Sequence, residues 1–177
     1  MEPIEIKAVT IKDIEQLQDI GRRTFQETFS SNNSAESMAK YLKEGFSEEK
    51  LSTELRHEGS QFFFAIKGED VIGYLKLNTG GAQTELQDSN GLEIERIYVL
   101  QQYHGAKIGQ VLYEKAIQVA HDMKLAYVWL GVWEENPRAI NFYKKNGFVA
   151  FDKHVFKLGD EEQTDIMMKK ALLPENP

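Results

Sequence analysis

The stretch LEIERIYVLQQYHGAKIG, residues 92–109, starts as a strand and ends as the opening of a helix. Its first eight residues alternate. Leu92, Ile94, Arg96 and Tyr98 fall on one face of a strand, Glu93, Glu95, Ile97 and Val99 on the other. From Ile108 onward apolar residues return as Leu112, Ala116 and Val119, one side of a helix. LAYVWLGVW, residues 125–133, then reads as a further strand. Strand, helix, strand is a parallel crossover, which makes the chain α/β.

Upstream, QFFFAIKGEDVIGYLKLN (61–78) reads as two antiparallel strands joined by the GED turn at 68–70. Residues 4–9 form a short first strand, and Thr10 with Asp13 predicts the start of a helix carrying Ile14, Leu17, Ile20, Thr24 and Phe25. Asn33 with Glu36 repeats that pattern before Met38, Tyr41, Leu42 and Phe46, and more helix follows around Leu51 and Leu55. Downstream, Asn136 and Pro137 open a short helix that Gly147 ends. VAFDKHVFKL and TDIMMKKAL close the sheet around the acidic turn GDEEQ. The expectation is one domain over residues 1–173 with a tail at 174–177.

The 177 residues are 41% hydrophobic and 28% charged, which suits a chain able to bury a core. A net charge of −7 argues against a surface built to neutralise nucleic-acid phosphates. With no cysteine, thiolate nucleophiles, disulfides and Cys-based metal sites are excluded, and His57, His104, His121 and His154 are not spaced as metal ligands. No metal is expected. The N-terminal segment lacks an apolar signal core, and no run reaches the roughly 18 apolar residues of a membrane span. No membrane partner is expected, and the expected location is the cytoplasm.

A loop that cradles phosphate needs unengaged N–H groups at a helix start and glycines that permit close approach. QYHGAKIG offers Gly105 and Gly109 around His104, Ala106, Lys107 and Ile108, but matches neither the dinucleotide-binding fingerprint nor the P-loop. NPRAINFYKKNGF, residues 136–148, supplies the context that the loop lacks. Together with LEIERIYV, these two segments resemble the GNAT superfamily of N-acetyltransferases. In that superfamily a loop of the form [QR]-x-x-G-x-[GA] holds the coenzyme A pyrophosphate, and a helix N-x-x-A-x-x-F-Y-x-x-x-G-F completes the site. The helix pattern is met at Asn136, Ala139, Phe142, Tyr143, Gly147 and Phe148. The loop departs from its pattern at His104 and Lys107 and meets it at Gly109. SQFFFAI, WLGVWE, NFYKKNGFV and GDEEQTD extend the likeness to PaiA-type spermine/spermidine N-acetyltransferases of bacteria.

The resemblance implies a central mixed, mostly antiparallel sheet of about six to seven strands flanked by helices, with a parallel pair splayed at the coenzyme site. It implies acetyl-CoA as cosubstrate and a small-molecule amine, with polyamines leading, as acceptor. Backbone groups of Ile97, Tyr98 and Val99 would meet the acyl chain and pantetheine. The loop from His104 through Gly105, Ala106, Lys107 and Ile108 to Gly109 would meet the pyrophosphate, with Asn136, Ala139 and Lys145 completing the coenzyme contacts. Tyr143 would protonate the departing thiolate, and a base is needed because an alkylammonium has a pKa near 10.4. Glu95 matches the position of the superfamily's glutamate, Glu93 on the same face is the reserve, and a water chain is the third route. Helix capping by Asn136, a solvated Lys107 or Lys145 and an exposed strand carboxylate at Glu95 stay open as alternatives. The acidic residues Asp160, Glu161, Glu162 and Asp165, with Glu85 and Asp88, offer either attraction for a polycation or plain solvated turn charge. Trp129 and Trp133 read as packing residues. With no cysteine to carry an acetyl group, direct attack in a ternary complex is expected. The alternatives are acetylation of a protein or other small amine, and a non-catalytic acetyl-CoA-sensing module. The closing strands also allow pairing between two copies, so a homodimer is a further expectation.

Overall fold

The structure, a computed structural model, describes residues 3–158 and 161–172. Seven strands, β1 (Ile4–Ala8), β2 (Ser60–Lys67), β3 (Asp70–Thr79), β4 (Gly91–Val99), β5 (Tyr127–Trp133), β6 (Val149–Leu158) and β7 (Glu161–Ala171), make one sheet. Their spatial order is β1-β2-β3-β4-β5-β7-β6. Only β4 and β5 run parallel. The expected tail at 174–177 is outside the described residues, as are Gly159 and Asp160 of the acidic turn.

The helices are α1 (Ile14–Phe29), α2 (Ala35–Gly45), α3 (Glu48–Arg56), α4 (Ile108–Asp122) and α5 (Pro137–Lys145). β2 shows why the sheet is covered on both sides. Phe62 and Phe64 enter a core shared with Leu17, Ile20 and Leu51 of α1 and α3, while Phe63 and Ala65 enter another with Leu112 and Ala116 of α4. Each fully buried Leu or Phe contributes at most about 2–3 kcal/mol of apolar transfer. β2 and β3 meet through a two-residue turn, Lys67 opposite Asp70, with Gly68 at φ +64° where a side chain would be strained. No helix among the described residues is long and apolar enough to cross a membrane.

Of two expected helix starts, the Thr10–Asp13 pair forms and the Asn33–Glu36 one shifts. After Thr10 a short 3-10 turn precedes α1, and the Asp13 carboxylate accepts from the Thr10 N–H at 2.9 Å. The cap of α2 is Ser34, whose hydroxyl accepts from the Ser37 N–H at 3.1 Å. Asn33 is instead a tie: its amide donates to the Phe29 carbonyl and accepts from Gln163 on β7.

The parallel pair is short. β4 and β5 pair only from Gly91–Tyr127 to Ile94–Leu130, and beyond that point the strands part. Leu100 donates to the Ile72 carbonyl on β3, so strand alternation turns the N–H groups of Val99 and Ile97 the other way, into the gap. Unpaired strand groups at this depth need a partner from elsewhere.

Candidate active site

A bulge in β4 sets the site. Lys76 pairs with Arg96 and Leu77 with Ile94, leaving Glu95 as the extra residue. One inserted residue reverses which side every later side chain takes. The strict alternation read from the sequence therefore fails at Glu95. Leu92, Ile94, Ile97 and Val99 share the α4 side, whereas Glu93, Arg96 and Tyr98 sit opposite Asn78, Lys76 and Tyr74 on the α1–α3 side. Glu95 does not share a face with Ile97 and Val99. It turns toward Lys76 at 2.9 Å, Arg96 at 3.0 Å and the Asn78 amide at 2.9 Å.

This carboxylate is heavily engaged. Lys76 and Arg96 also pair with Glu54 of α3, which closes a buried four-charge cluster with equal numbers of each sign. Burial would raise the pKa of Glu95, but Arg96 and Lys76 overcome it and hold the carboxyl down at about 2. Glu93 is not brought to the site. Its carboxylate is taken by the N–H and hydroxyl of Thr84 and by Asn78 at 3.0 Å, which pins the segment before β4. Burial pushes its pKa up, and it does not line the cleft described next.

A cleft of about 890 Å³ crosses the sheet where β4 and β5 part. That is room for a cofactor-sized molecule. Ile97, Tyr98, Val99, His104, Gly105, Lys107, Ile108 and Gly109 border it, but Ala106 does not. Ala106 is turned out because its N–H closes a turn onto the Tyr103 carbonyl. The His104 ring bonds the Val99 carbonyl at 2.8 Å, so the imidazole is spent on closing the end of β4. The first helical bond of α4 runs from Val111 to Lys107, which leaves the N–H groups of Ile108, Gly109 and Gln110 unengaged within the helix and without a side-chain cap. Neither Gly105 nor Gly109 has an atom within 4 Å of where a Cβ would stand. Lys107 adopts the left-handed conformation, φ +64° and ψ +20°, that glycine occupies freely and a lysine only with strain.

α5 forms the second wall. The Asn136 side chain caps it by accepting from the Ala139 N–H at 3.2 Å, and both residues line the cleft. Gly147, at φ +94°, ends the helix. Asn146 and Gln110 exchange amide bonds at 3.2 and 3.3 Å and so tie α5 to the start of α4. Lys145 borders the cleft with Arg138, which the sequence reading passed over. Tyr143 is 6% exposed, packed edge-on against Phe142 and Phe148, with no hydrogen-bond partner for its hydroxyl among the described residues. Burial raises its pKa, which keeps the phenol protonated.

The other mouth of the cleft, under α1 and α2, is aromatic. Phe25 stacks on Tyr41 at 4.3 Å and touches Phe29, which packs at 4.8 Å on Trp133. Trp133 thus serves as cleft wall as well as packing, with its indole N–H buried and unpartnered, while Trp129 donates to Gln83 at 2.7 Å away from the cleft. Asp165, read from the sequence as turn charge, is a β7 residue bordering this mouth. Glu85 and Asp88 do not reach the cleft: Glu85 pairs with His154 at 2.8 Å and Asp88 accepts from the Tyr127 hydroxyl.

The arrangement has counterparts among known proteins. Residues 14–148 match the Acetyltransferase (GNAT) family. The chain is 43% identical to the "uncharacterized N-acetyltransferase in pepI 3'region" of Lactobacillus delbrueckii subsp. lactis, over 98% of this chain and 100% of that one. It is 28% identical to the spermidine N(1)-acetyltransferase of Thermoplasma acidophilum, over 94% of this chain and 96% of that one. The crystal structure of the PaiA N-acetyltransferase from Thermoplasma acidophilum in complex with coenzyme A superposes with a TM-score of 0.79, at 26% identity, over 96% of this chain and 99% of that one.

Proposed function

The chain belongs to the acetyltransferase (GNAT) family and is an acetyl-CoA-dependent N-acetyltransferase, and from that premise we propose that its acceptor is a polyamine of the spermidine class. The observation that carries this reading is the two-sided cleft. One mouth has unengaged α4 N–H groups, open glycines and the cations Lys107, Arg138 and Lys145, which suit a phosphate-bearing molecule. The other has an aromatic wall and a carboxylate, which suit an alkylammonium through cation–π attraction and charge. The likeness to the Thermoplasma spermidine N(1)-acetyltransferase supports the same class of acceptor.

In this reading acetyl-CoA supplies the acyl carbon: the ammonium first gives one proton up toward solvent, the neutral nitrogen forms the N–C bond as the C–S bond breaks, and the second proton it then sheds is matched by the one that ends on the sulfur. Tyr143 delivers a proton to the sulfur and regains one from the amine side. The N–H groups of Ile97 and Val99, turned into the gap by the β4 pleat, donate toward the thioester oxygen as charge builds there. Glu95 acts as a fixed negative charge that orients water and holds Arg96 in place. With its carboxyl at about 2, it is a poor match to an ammonium proton.

The test is release of free CoA thiol from acetyl-CoA with spermidine, spermine, monoamines, amino acids and a lysine peptide as acceptors. The absence of cysteine from the chain keeps the thiol readout clean. Polyamines are expected to exceed the other acceptors at least tenfold in kcat/KM. A lysine peptide or an amino acid leading the panel would replace the polyamine assignment.

A further inference from the structure

Among the ionised side chains bordering the aromatic mouth, Asp165 stands apart. It occupies β7 opposite Trp133 of β5 and His154 of β6, so all three side chains share the α1–α2 side of the sheet. Its carboxylate has no hydrogen bond and no ion pair among the described residues, although the residue is half-buried. A withdrawn carboxylate without a partner is costly unless a ligand supplies one. Space for that ligand is kept open by Gly131, where a Cβ would stand 3.1 Å from Asp165 Oδ2. Gly131 is also the first β5 residue beyond the paired part of β4 and β5, so the open space adjoins the gap through which the two halves of the cleft meet.

We propose that Asp165 receives the acceptor's ammonium group beside the gap and takes its proton before acetyl transfer. The assignment rests on the acetyl-transfer reading above and names the acceptor-side base that reading lacks. The ammonium N–H bond breaks with its electron pair staying on nitrogen, an O–H bond forms on the Asp165 carboxylate, and the proton passes to solvent after the product leaves. The freed lone pair is what attacks the thioester.

Burial pushes the Asp165 carboxyl up to about 6, with the charge of His154 opposing. It is thus ionised above neutrality yet far more basic than Glu95. The groups that face it are His154 from β6, itself bonded to Glu85, with Tyr98 from β4 and Tyr41 from α2, both of whose hydroxyls it makes harder to ionise. Tyr41 also stands within the field of Arg96 and Glu95 on the far side of the chamber. Of these groups only His154 brings positive charge toward Asp165, and burial outweighs it.

The test uses the full chain, wild type against Asp165→Asn, with spermidine as acceptor. In the wild type, kcat/KM for spermidine is expected to fall on the acid side with a midpoint near 6. Asp165→Asn should lower that kcat/KM at least tenfold and abolish the acid limb. KM for acetyl-CoA should stay within twofold, and so should the rise in melting temperature that acetyl-CoA produces. Wild-type kcat/KM with the limb intact in Asp165→Asn overturns the assignment. Should that variant fail to fold, Asp165→Glu replaces it: a displaced carboxylate should lower kcat/KM and keep a limb, and an unchanged kcat/KM overturns the assignment equally. A wild type that binds acetyl-CoA yet acetylates no amine brings down the acetyl-transfer reading and this one together. An active wild type with an indifferent variant removes Asp165 alone.

Discussion

Glu95 and Asp165 border the same cleft from the same side of the sheet, and their surroundings give them opposite characters. Glu95 is enclosed by Lys76, Arg96 and Asn78, and its carboxyl is held at about 2. Asp165 has aromatic rings, a glycine and one histidine around it, and its carboxyl is raised to about 6. A carboxylate surrounded by cations is a structural charge. One half-buried with a single histidine beside it is free to exchange a proton near neutrality.

The strongest way to break this comparison is at the cations. Lys76→Met leaves Glu54, Glu95 and Arg96 as a buried cluster with one uncompensated negative charge. We expect a loss of about 3 kcal/mol of stability at neutral pH, read from urea unfolding. A loss below about 0.5 kcal/mol would show that Glu95 is not held as a structural charge. Next in size is Tyr143→Phe, which keeps the ring packed against Phe142 and Phe148 while removing the hydroxyl proposed as proton donor. Turnover should drop at least tenfold, about 1.4 kcal/mol of transition-state stabilisation, with the melting temperature unchanged. Wild-type turnover would move the proton delivery elsewhere.

Asp165→Asn sharpens the comparison through stability. The folded carboxyl titrates at about 6 against an ordinary 3.8, so the protonated form is favoured by folding and that contribution is lost as pH rises through 6. The Asn variant should match the wild type below pH 3.8 and become the more stable protein by up to about 3 kcal/mol above 6, measured by thermal unfolding across pH. For Glu95 the sign reverses: its contribution is full above the ordinary 4.5 and is lost as pH falls toward 2. The smallest effect belongs to the other mouth. Lys107→Gly relieves a left-handed lysine at φ +64° but adds chain entropy on unfolding, so a net gain under about 1 kcal/mol is expected. Loss of the charge should weaken acetyl-CoA binding less than tenfold, as read by calorimetric titration.

How far the sequence reached differs between the two mouths of the cleft. The mouth at the start of α4 was legible because its lining is local: a strand end, a loop and two helix starts, each marked by glycine, Asn-Pro or helical spacing within a short stretch. Of the loop residues singled out there, Ala106 does not border the cleft, and His104 borders it with its ring engaged by the Val99 carbonyl. The bulge was visible in principle, since Leu92, Ile94, Ile97 and Val99 are spaced two, three and two apart around adjacent charges at Glu95 and Arg96. Reading the segment as an unbroken alternation placed Glu95 on the wrong face and gave Glu93 a role that Thr84 and Asn78 take from it.

The sequence by itself determined the crossover unit, the pairing of the β2–β3 hairpin, the caps of α5 and the loop that leads into α4, because short-range backbone chemistry dictates each of them. Only the tertiary structure decided which carboxylate is free. Lys76, Arg96 and Glu54 come from three elements to close around Glu95, while β5, β6 and β7 bring Gly131, His154 and Asp165 together with no lysine or arginine among them. A pKa is set by what surrounds a group in space. Chain position records none of those neighbours.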